Sequence, residues 1–295
     1  MEQGKRAVVA LGMFDGMHKG HTQLVDRAVA MARECHAAPV VFTFANHPLE
    51  VLGKKPRLLS TLEERAARMY ALGVSEVAAA SFTREFADVT PDEFLSYLLS
   101  RYDVAAIVCG FNYTFGRRGA GTPEMLTAAG RARGFAVEVL PPVLEGGAPI
   151  SSSRIREAIE CGEIALANRM LGRTYRLTGT VVSNLQNGRR LGFPTANIVP
   201  DPALVLPKSG VYHTRAAIPC GLYPAVTNVG ANPTLRAKKE TVETHLIDFD
   251  GDLYGQTLSV SFIGRLRGEI AFSSLEALRD RIQKDVDTVR EADSR

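Results

Sequence analysis

Two histidines stand three residues apart in a glycine-rich segment that directly follows a short apolar run. The segment is GMFDGMHKGH, residues 12–21, and it contains His18 and His21. Glycines at the end of a strand let the backbone approach a phosphate closely, and imidazoles at i and i+3 of a first helical turn face one anion. A protonated histidine is unfavourable at a helix N-terminus, and a bound anion removes that objection. The segment therefore favours a phosphate site, with a structural role and a metal site as alternatives.

The metal alternative would need a third ligand at a similar spacing. The other histidines of the chain are His36, His47, His213 and His245. They show no such pattern, so the phosphate interpretation is the stronger one, although the residues alone leave both open.

A second candidate segment is ISSSRIR, residues 150–156, which precedes the helical stretch EAIE. Its serines are typical of a helix start, whereas Arg154 and Arg156 then lie in the first turn, where positive charge is unfavourable. Cations there are explained if they bind an anion together with the backbone N–H groups. The alternative is two solvated arginines.

A third segment, GFNYTFGRRG, residues 110–119, follows the apolar run 104–109. Aromatic and amide side chains in a loop after a strand are suited to holding a planar ring. Packing within the loop explains the same residues equally well.

The second half contains GRRLGFPTAN, residues 188–197, but no GxxxxGK[ST] segment, so a kinase here is not a P-loop enzyme. Glycines flank a basic pair, and Thr195 and Asn197 then offer a hydroxyl and an amide oxygen to phosphates and Mg²⁺. Downstream, strand alternation over residues 242–249 places Glu243, His245 and Ile247 on one face. Glu243 is a candidate general base, with an exposed strand carboxylate as the alternative.

An acidic segment, DFDGDLYG at residues 248–255, resembles a calcium loop at first sight. The EF-hand loop requires Gly at its sixth position and Glu at its twelfth, where this chain has Leu253 and Ser259. The segment therefore predicts an acidic hairpin turn.

The two halves of the chain have different residue patterns, and these patterns predict the helices and strands that position the candidate segments. The first half alternates β-branched runs with helical patterns, which predicts a parallel sheet covered on both faces. Its predicted strands are 6–11, 39–44, 75–80, 104–109 and 136–140. The predicted helix caps are Thr61 or Ser60, Thr90 and Thr122.

From about residue 175, short strands separated by turn residues predict an antiparallel barrel or sandwich. The predicted strands are 177–182, 210–217, 225–229, 242–249 and 258–263. One long helix, capped by Ser273 or Ser274, closes the chain. The fold class is therefore α/β and then mainly β, with domains at 1–171 and 172–295.

Composition excludes several classes of protein. The net charge of +3 does not argue for nucleic acid or an anionic membrane, and no run of 18 apolar residues predicts a membrane span. The N-terminal residues are too quickly polar for a signal peptide. Four scattered cysteines are typical of reduced thiols, so we expect a cytoplasmic protein.

Together these motifs carry a family resemblance that covers essentially the whole chain. GMFDGMHKGH with ISSSRIR resembles the HxGH nucleotidylyltransferase superfamily. With FTFANHP, GFNYTFG, GFPTAN and ETHLIDFDGDLYG, the chain resembles the bacterial bifunctional riboflavin kinase/FAD synthetase family. The resemblance implies a Rossmann-like FMN adenylyltransferase domain and then a β-barrel riboflavin kinase domain. It implies riboflavin, FMN and ATP as ligands, Mg²⁺ as cofactor, and no nucleic acid or membrane partner.

The resemblance also implies roles for individual residues. His18 and His21 bind the triphosphate of ATP and stabilise charge while FMN phosphate attacks the α-phosphorus, and Arg156 holds the pyrophosphate. Glu243 activates the ribityl hydroxyl in the kinase, where Thr195 and Asn197 bind Mg²⁺. The implied nucleotide-binding residues are Gly12, Phe14, Asn112, Ser152, Ser153, Gly188, Gly192 and Thr195. Asn112 and Phe115 are the implied flavin-binding residues.

The chain departs from the family pattern at two places; the first bears on kinase activity, and the second keeps a hydroxyl. The chain has Ser183-Asn184 where the family commonly has His-Gly, and Ser153 where it usually has Thr. One alternative is an FMN adenylyltransferase whose barrel binds flavin without catalysis. Another is a nucleotidylyltransferase for a different phosphorylated metabolite, which the first half alone would allow.

Overall fold

The computed structural model describes residues 4–51, 53–54, 56–182, 192–232 and 239–294. The chain forms two compact units, Met1–Ser152 and Ser153–Arg295. The predicted domains 1–171 and 172–295 stay a prediction. Ser183-Asn184 and Gly188 lie outside the described residues.

The first unit is built on a five-stranded parallel sheet with the strand order β3-β2-β1-β4-β5. The strands are β1 (Lys5–Leu11), β2 (Ala38–Phe44), β3 (Glu76–Ala80), β4 (Tyr102–Gly110) and β5 (Ala136–Leu140). The helices are α1 (Lys19–Glu34), α2 (Pro48–Val51), α3 (Leu62–Ala71), α4 (Arg84–Ala87), α5 (Pro91–Arg101) and α6 (Pro123–Arg133). A small ribbon of β6 (Leu144–Glu145) and β7 (Ala148–Pro149) follows. The five predicted strands and their parallel arrangement are confirmed.

Apolar side chains fill both faces of this sheet, because consecutive residues of a strand point to opposite sides. Val9 and Leu11 of β1 belong to a core that includes Phe94 and Leu126 of α5 and α6. The other core contains Val8, Ala10, Leu24, Val25 and Met69, from β1, α1 and α3. The two covered faces explain why β1 is a continuous apolar run.

Hydroxyl caps fix where the helices of the first unit begin. Thr61 accepts a hydrogen bond from Glu64 N, and the Glu64 side chain accepts from Thr61 N, which completes a capping box at α3. Thr90 caps α5 in the same way with Glu93, and Thr122 caps α6. Among the described residues, no helix is both long and apolar enough to cross a membrane.

The second unit contains a closed antiparallel barrel with the strand order β10-β11-β12-β9-β8-β13. Its strands are β8 (Tyr175–Val182), β9 (Ala196–Ile198), β10 (Gly210–Ile218), β11 (Gly221–Asn232), β12 (Lys239–Leu246) and β13 (Thr257–Arg267). The helices α7 (Ser152–Cys161) and α8 (Ile164–Leu171) precede the barrel, and α9 (Leu275–Asp293) follows it. Ser274 caps α9, as predicted.

Two predictions about the end of β12 are wrong. The strand ends at Leu246 instead of continuing to residue 249, because Asp248 adopts a left-handed backbone with φ of 59°. The following acidic segment is not a hairpin turn, since β12 pairs with β11 and β9, whereas β13 pairs with β10 and β8. Strand β9, which includes Asn197, was not predicted.

Candidate active sites

The histidine segment forms a tight turn between β1 and α1. Phe14, Gly16 and Met17 have positive φ angles of 54°, 78° and 41°, so the backbone here is held in a conformation that non-glycine residues rarely adopt. His18 is the N-cap of α1, and its Nδ1 accepts a hydrogen bond of 3.3 Å from His21 N. Because Nδ1 is the acceptor, the neutral His18 ring carries its proton on Nε2.

The two imidazoles lie against each other at the start of α1. Their ring centroids are 3.6 Å apart with an interplanar angle of 17°, and the buried Phe14 ring meets His21 edge-on at 5.2 Å. The pKa of His21 lies well below its ordinary value. Burial is the largest cause, followed by the charges of His18 and Arg65. His21 is therefore neutral without an anion, and phosphate oxygens beside it would favour its protonation and supply hydrogen-bond partners.

Buried polar residues hold the turn from behind. The Asp15 carboxylate, 2% exposed, accepts hydrogen bonds of 2.9 and 3.2 Å from Leu59 N. Gly16 N donates to Ser60 Oγ at 3.0 Å, and the Ser152 hydroxyl donates to Asp15 O at 2.9 Å. These contacts were not predicted from the sequence. The structure thus brings Ser152, the first residue of α7, to the histidine turn.

Other predicted residues of the first unit lie at the same edge of the sheet. Gly12 donates its N–H to Phe42 O at 3.3 Å at the end of β1, and Asn112 is exposed just beyond the neighbouring β4. Phe115 is 5% exposed and packs against Phe94, with ring centroids 5.4 Å apart. Its predicted flavin contact stays a prediction, as do the nucleotide contacts of Gly12, Phe14 and Asn112.

Arg154 lies in the first turn of α7, as predicted, whereas Arg156 lies further along the helix. Arg156 is the fifth residue of α7, so it lies at the start of the second turn. Its Nη2 donates to Ser153 Oγ at 3.3 Å. Ser153 and Arg156 belong to the second unit, and their roles in binding phosphate stay predictions.

In the barrel, Glu243 lies between two asparagines on neighbouring strands. Its register partners are Asn197 on β9 and Asn228 on β11. Asn197 is 9% exposed, and burial raises the pKa of Glu243 above that of an ordinary carboxyl. A raised pKa makes a carboxylate a stronger base. Sequence alternation placed Glu243 correctly on a strand, but the pairing with Asn228 was not predicted.

A cavity of about 290 Å³ adjoins this region. Thr195 lines it together with the segment after β12; the lining includes Leu246, Phe249, Asp250, Asp252 and Tyr254. The residue pattern of this segment predicted only an acidic turn. The overlooked signal is the set of apolar and aromatic residues interspersed among the acidic ones, which a solvated turn does not need.

His245 connects the two parts of this site. Its Nδ1 donates to Pro194 O at 2.8 Å, and its ring meets Phe193 edge-on at 5.5 Å. Pro194 directly precedes Thr195, so the strand that carries Glu243 also fixes the segment that carries Thr195. Gly192, exposed with φ of 85°, begins the described part of this segment, and Gly188 lies outside it.

The donor atoms distinguish the two sites with respect to metals. Among the described residues, no group of three or more His, Cys, Asp or Glu side chains is placed to hold a metal ion. A zinc site at His18 and His21 therefore lacks a third such ligand in the described chain. In the barrel, Asn197 pairs with Glu243 and Thr195 lies two residues before Asn197, and the predicted binding of Mg²⁺ by Thr195 and Asn197 stays a prediction.

Comparison with known proteins matches each half of the chain separately. A family model described as FAD synthetase matches residues 1–154, and one described as riboflavin kinase matches residues 171–292. The bifunctional riboflavin kinase/FMN adenylyltransferase of Bacillus subtilis (strain 168) is 34% identical, over 96% of this chain and 92% of the relative. That of Escherichia coli (strain K12) is 35% identical, with the same two coverages.

A solved structure extends the similarity to the fold of the whole chain. The structure titled macrolide-efflux protein from Streptococcus pneumoniae is 33% identical to this chain, with a TM-score of 0.90. The match covers 98% of this chain and 95% of that one. Sequence and fold agree over both units, and the chain belongs to the bifunctional riboflavin kinase/FMN adenylyltransferase family.

Proposed function

We propose that this chain converts riboflavin to FAD in two steps that use separate sites. The barrel unit transfers the γ-phosphoryl group of ATP to riboflavin and gives FMN and ADP. The α/β unit then transfers the adenylyl group of a second ATP to FMN and gives FAD and pyrophosphate. The observation that carries this proposal is that the two family models fall on the two halves of the chain, and each half has its own polar site. We place both reactions in the cytoplasm, where four cysteines without a disulfide are expected.

In the kinase step, Glu243 is the general base. The ribityl hydroxyl attacks the γ-phosphorus, its proton passes to the Glu243 carboxylate, and the bond to the β-phosphate breaks. The partly buried position of Glu243 supports this role, because its raised pKa suits a proton acceptor better than an exposed carboxylate. Tyr254 and Leu246 supply the apolar surface of the cavity, where the nucleoside of ATP would bind.

Both reactions use ATP together with a divalent metal ion, and we propose Mg²⁺ as that ion. Thr195 and Asn197 would hold it in the barrel, since both carry uncharged oxygen donors, Asn197 is the register partner of Glu243, and Thr195 lies two residues before Asn197. When bound, the ion neutralises negative charge on the phosphates. His245 keeps these ligands in place through Pro194.

In the adenylyl step, His18 and His21 stabilise the triphosphate. An oxygen of FMN phosphate attacks the α-phosphorus, and the bond to the β-phosphate breaks without a covalent enzyme intermediate. Two imidazole N–H groups at the helix start provide fixed donors where negative charge develops. Ser152, Ser153 and Arg156 would hold the departing pyrophosphate, and Asn112 and Phe115 the flavin side.

The proposed function is tested by incubating the protein with ATP, Mg²⁺ and either riboflavin or FMN, and then separating the flavins by chromatography. We expect FMN and FAD from riboflavin, and FAD from FMN. FAD from FMN with no product from riboflavin would instead identify a noncatalytic barrel. No FAD from either flavin would support a nucleotidylyltransferase for another phosphorylated metabolite.

Arg156→Ala is expected to weaken the adenylyl step by roughly 2–4 kcal/mol, the range of an oxyanion donor lost from the transition state. The reason is that Arg156 would meet the charge that develops on the pyrophosphate. The measurement is kcat/KM for ATP and FMN, with riboflavin phosphorylation as an internal control. Unchanged kcat/KM would show that Arg156 is a solvated surface charge.

A further inference from the structure

A buried arginine lies under the histidine turn and is not explained by the reaction as described so far. Arg65 of α3 is 1% exposed. Burying a cation costs desolvation free energy, and an apolar residue of similar size is often at least as stabilising at such a position. Its Nε is buried and donates to no acceptor among the described residues, which adds to that cost.

The guanidinium group binds backbone carbonyls at the carboxyl ends of two neighbouring strands, β1 and β2. Its Nη1 donates to Met13 O, which also accepts a hydrogen bond of 3.1 Å from the Thr43 hydroxyl. Its Nη2 donates to Phe44 O at 3.0 Å. Arg65 therefore joins the end of β2 to the residue that opens the histidine turn.

The turn needs such support because its backbone is strained. Phe14 and Met17 have positive φ angles, and residues in such conformations persist only where their surroundings over-determine them. Asp15 and Gly16 are held by Leu59 and Ser60, immediately before α3. One short segment, residues 59–65, thus supports the turn, and Arg65 is its buried charged residue.

We propose that Arg65 is a positioning residue for the adenylyl site. It keeps the turn in the shape in which His18 and His21 meet phosphate, and it places a fixed positive charge beneath them. Its Nη1 and Nη2 are engaged by two backbone carbonyls and a threonine hydroxyl, so we assign it a role that acts through the turn. This inference rests on the proposed adenylylation of FMN.

The charge has a second consequence that can be measured separately. His18 at the helix start and Arg65 from α3 both lower the pKa of His21, after the larger effect of burial, and Asp15 is the anionic group beside Arg65. Removing the positive charge of Arg65 should therefore raise the pKa of His21. A residue that served only to stabilise the fold would not have this effect on one histidine.

The test compares Arg65→Lys with Arg65→Met. Lysine keeps the charge, but its single ammonium group cannot bind Met13 O and Phe44 O as the planar guanidinium does. Methionine removes both the charge and the hydrogen-bond donors. We expect both variants to adenylylate FMN roughly 10²-fold more slowly, as for a small displacement of catalytic groups. We expect only Arg65→Met to shift the NMR titration of the His21 ring to higher pH.

Two control variants separate positioning from loss of stability. Arg131→Gln removes an exposed arginine of α6 and should change neither rate nor titration. Leu98→Ala removes packing from the opposite core and should lower thermal stability without moving the His21 titration. Riboflavin phosphorylation should persist in all four variants.

Specific outcomes would overturn the proposal. Adenylylation within about threefold of the parent in both Arg65 variants would show that the turn does not need the guanidinium. An unmoved His21 titration in Arg65→Met, with the protein folded, would remove the electrostatic part. If the parent itself makes no FAD, the proposed function fails instead, and the substrate-free titration still decides whether Arg65 acts on His21.

Discussion

Glu243→Gln is expected to slow riboflavin phosphorylation by about 10²–10⁴-fold, the usual contribution of a general base. Glutamine keeps the shape and the hydrogen-bonding capacity of the side chain between Asn197 and Asn228, but it does not accept a proton at neutral pH. Adenylylation of FMN should be unaffected, because none of the residues proposed for that reaction lies in the barrel. The measurement is the rate of FMN formation from riboflavin at saturating ATP.

A matched control is Glu276→Gln, which removes a carboxylate from the first turn of α9, where the side chain is exposed. This variant should phosphorylate riboflavin at the parent rate. If Glu243→Gln keeps the rate within about threefold of the parent, the carboxylate is structural and the base lies elsewhere. The variant Asn228→Ala then becomes informative, since it keeps the backbone pairing and tests whether the amide side chain beside Glu243 supports activity.

His21→Ala is expected to lower FAD formation from FMN by roughly 10²–10³-fold or more, as when a preorganised donor to developing charge is lost. The ring stacks on His18 and packs edge-on against Phe14, so its removal takes away both a donor and the support of its neighbour. Formation of FMN from riboflavin should remain nearly intact. The two rates are measured separately, with FMN or riboflavin as the only flavin supplied.

Gln23→Ala is the control for this variant, because Gln23 is exposed on the same helix two residues away. It should leave both activities unchanged. A folded His21→Ala protein that loses both activities equally would contradict the division of labour between the two units. Full retention of FAD formation would show that the histidine pair has a structural role and no catalytic one.

The sequence predicted the repetitive parts of the fold because they follow local rules. The continuous apolar run of β1 requires two covered faces, and Thr61 with Glu64 marks the start of α3 through its own hydrogen bonds. Glu243 and the histidine pair were found because their residue types are unusual for their positions. These features depend on neighbours a few residues away.

The features that were missed depend on contacts between distant segments. Strand β9 exists because Asn197 pairs with Glu243, 46 positions later in the chain, and three residues give little local signal. The connection after β12 leads to β13, which is not its neighbour in the barrel. A local turn motif cannot predict such a connection. Arg65 had one overlooked signal, since it shares the buried face of α3 with Met69. A charge on such a face predicts a buried polar contact, but not its partners.

The central claim, that one chain carries two independent sites, is tested most directly by mixing two variants. His21→Ala alone should convert riboflavin to FMN and stop there, and Glu243→Gln alone should leave riboflavin unchanged but convert added FMN to FAD. An equimolar mixture, supplied with riboflavin, ATP and Mg²⁺, should then form FAD, because FMN made by the first protein is adenylylated by the second. The account is contradicted if His21→Ala makes no FMN, or if folded Glu243→Gln makes no FAD from added FMN.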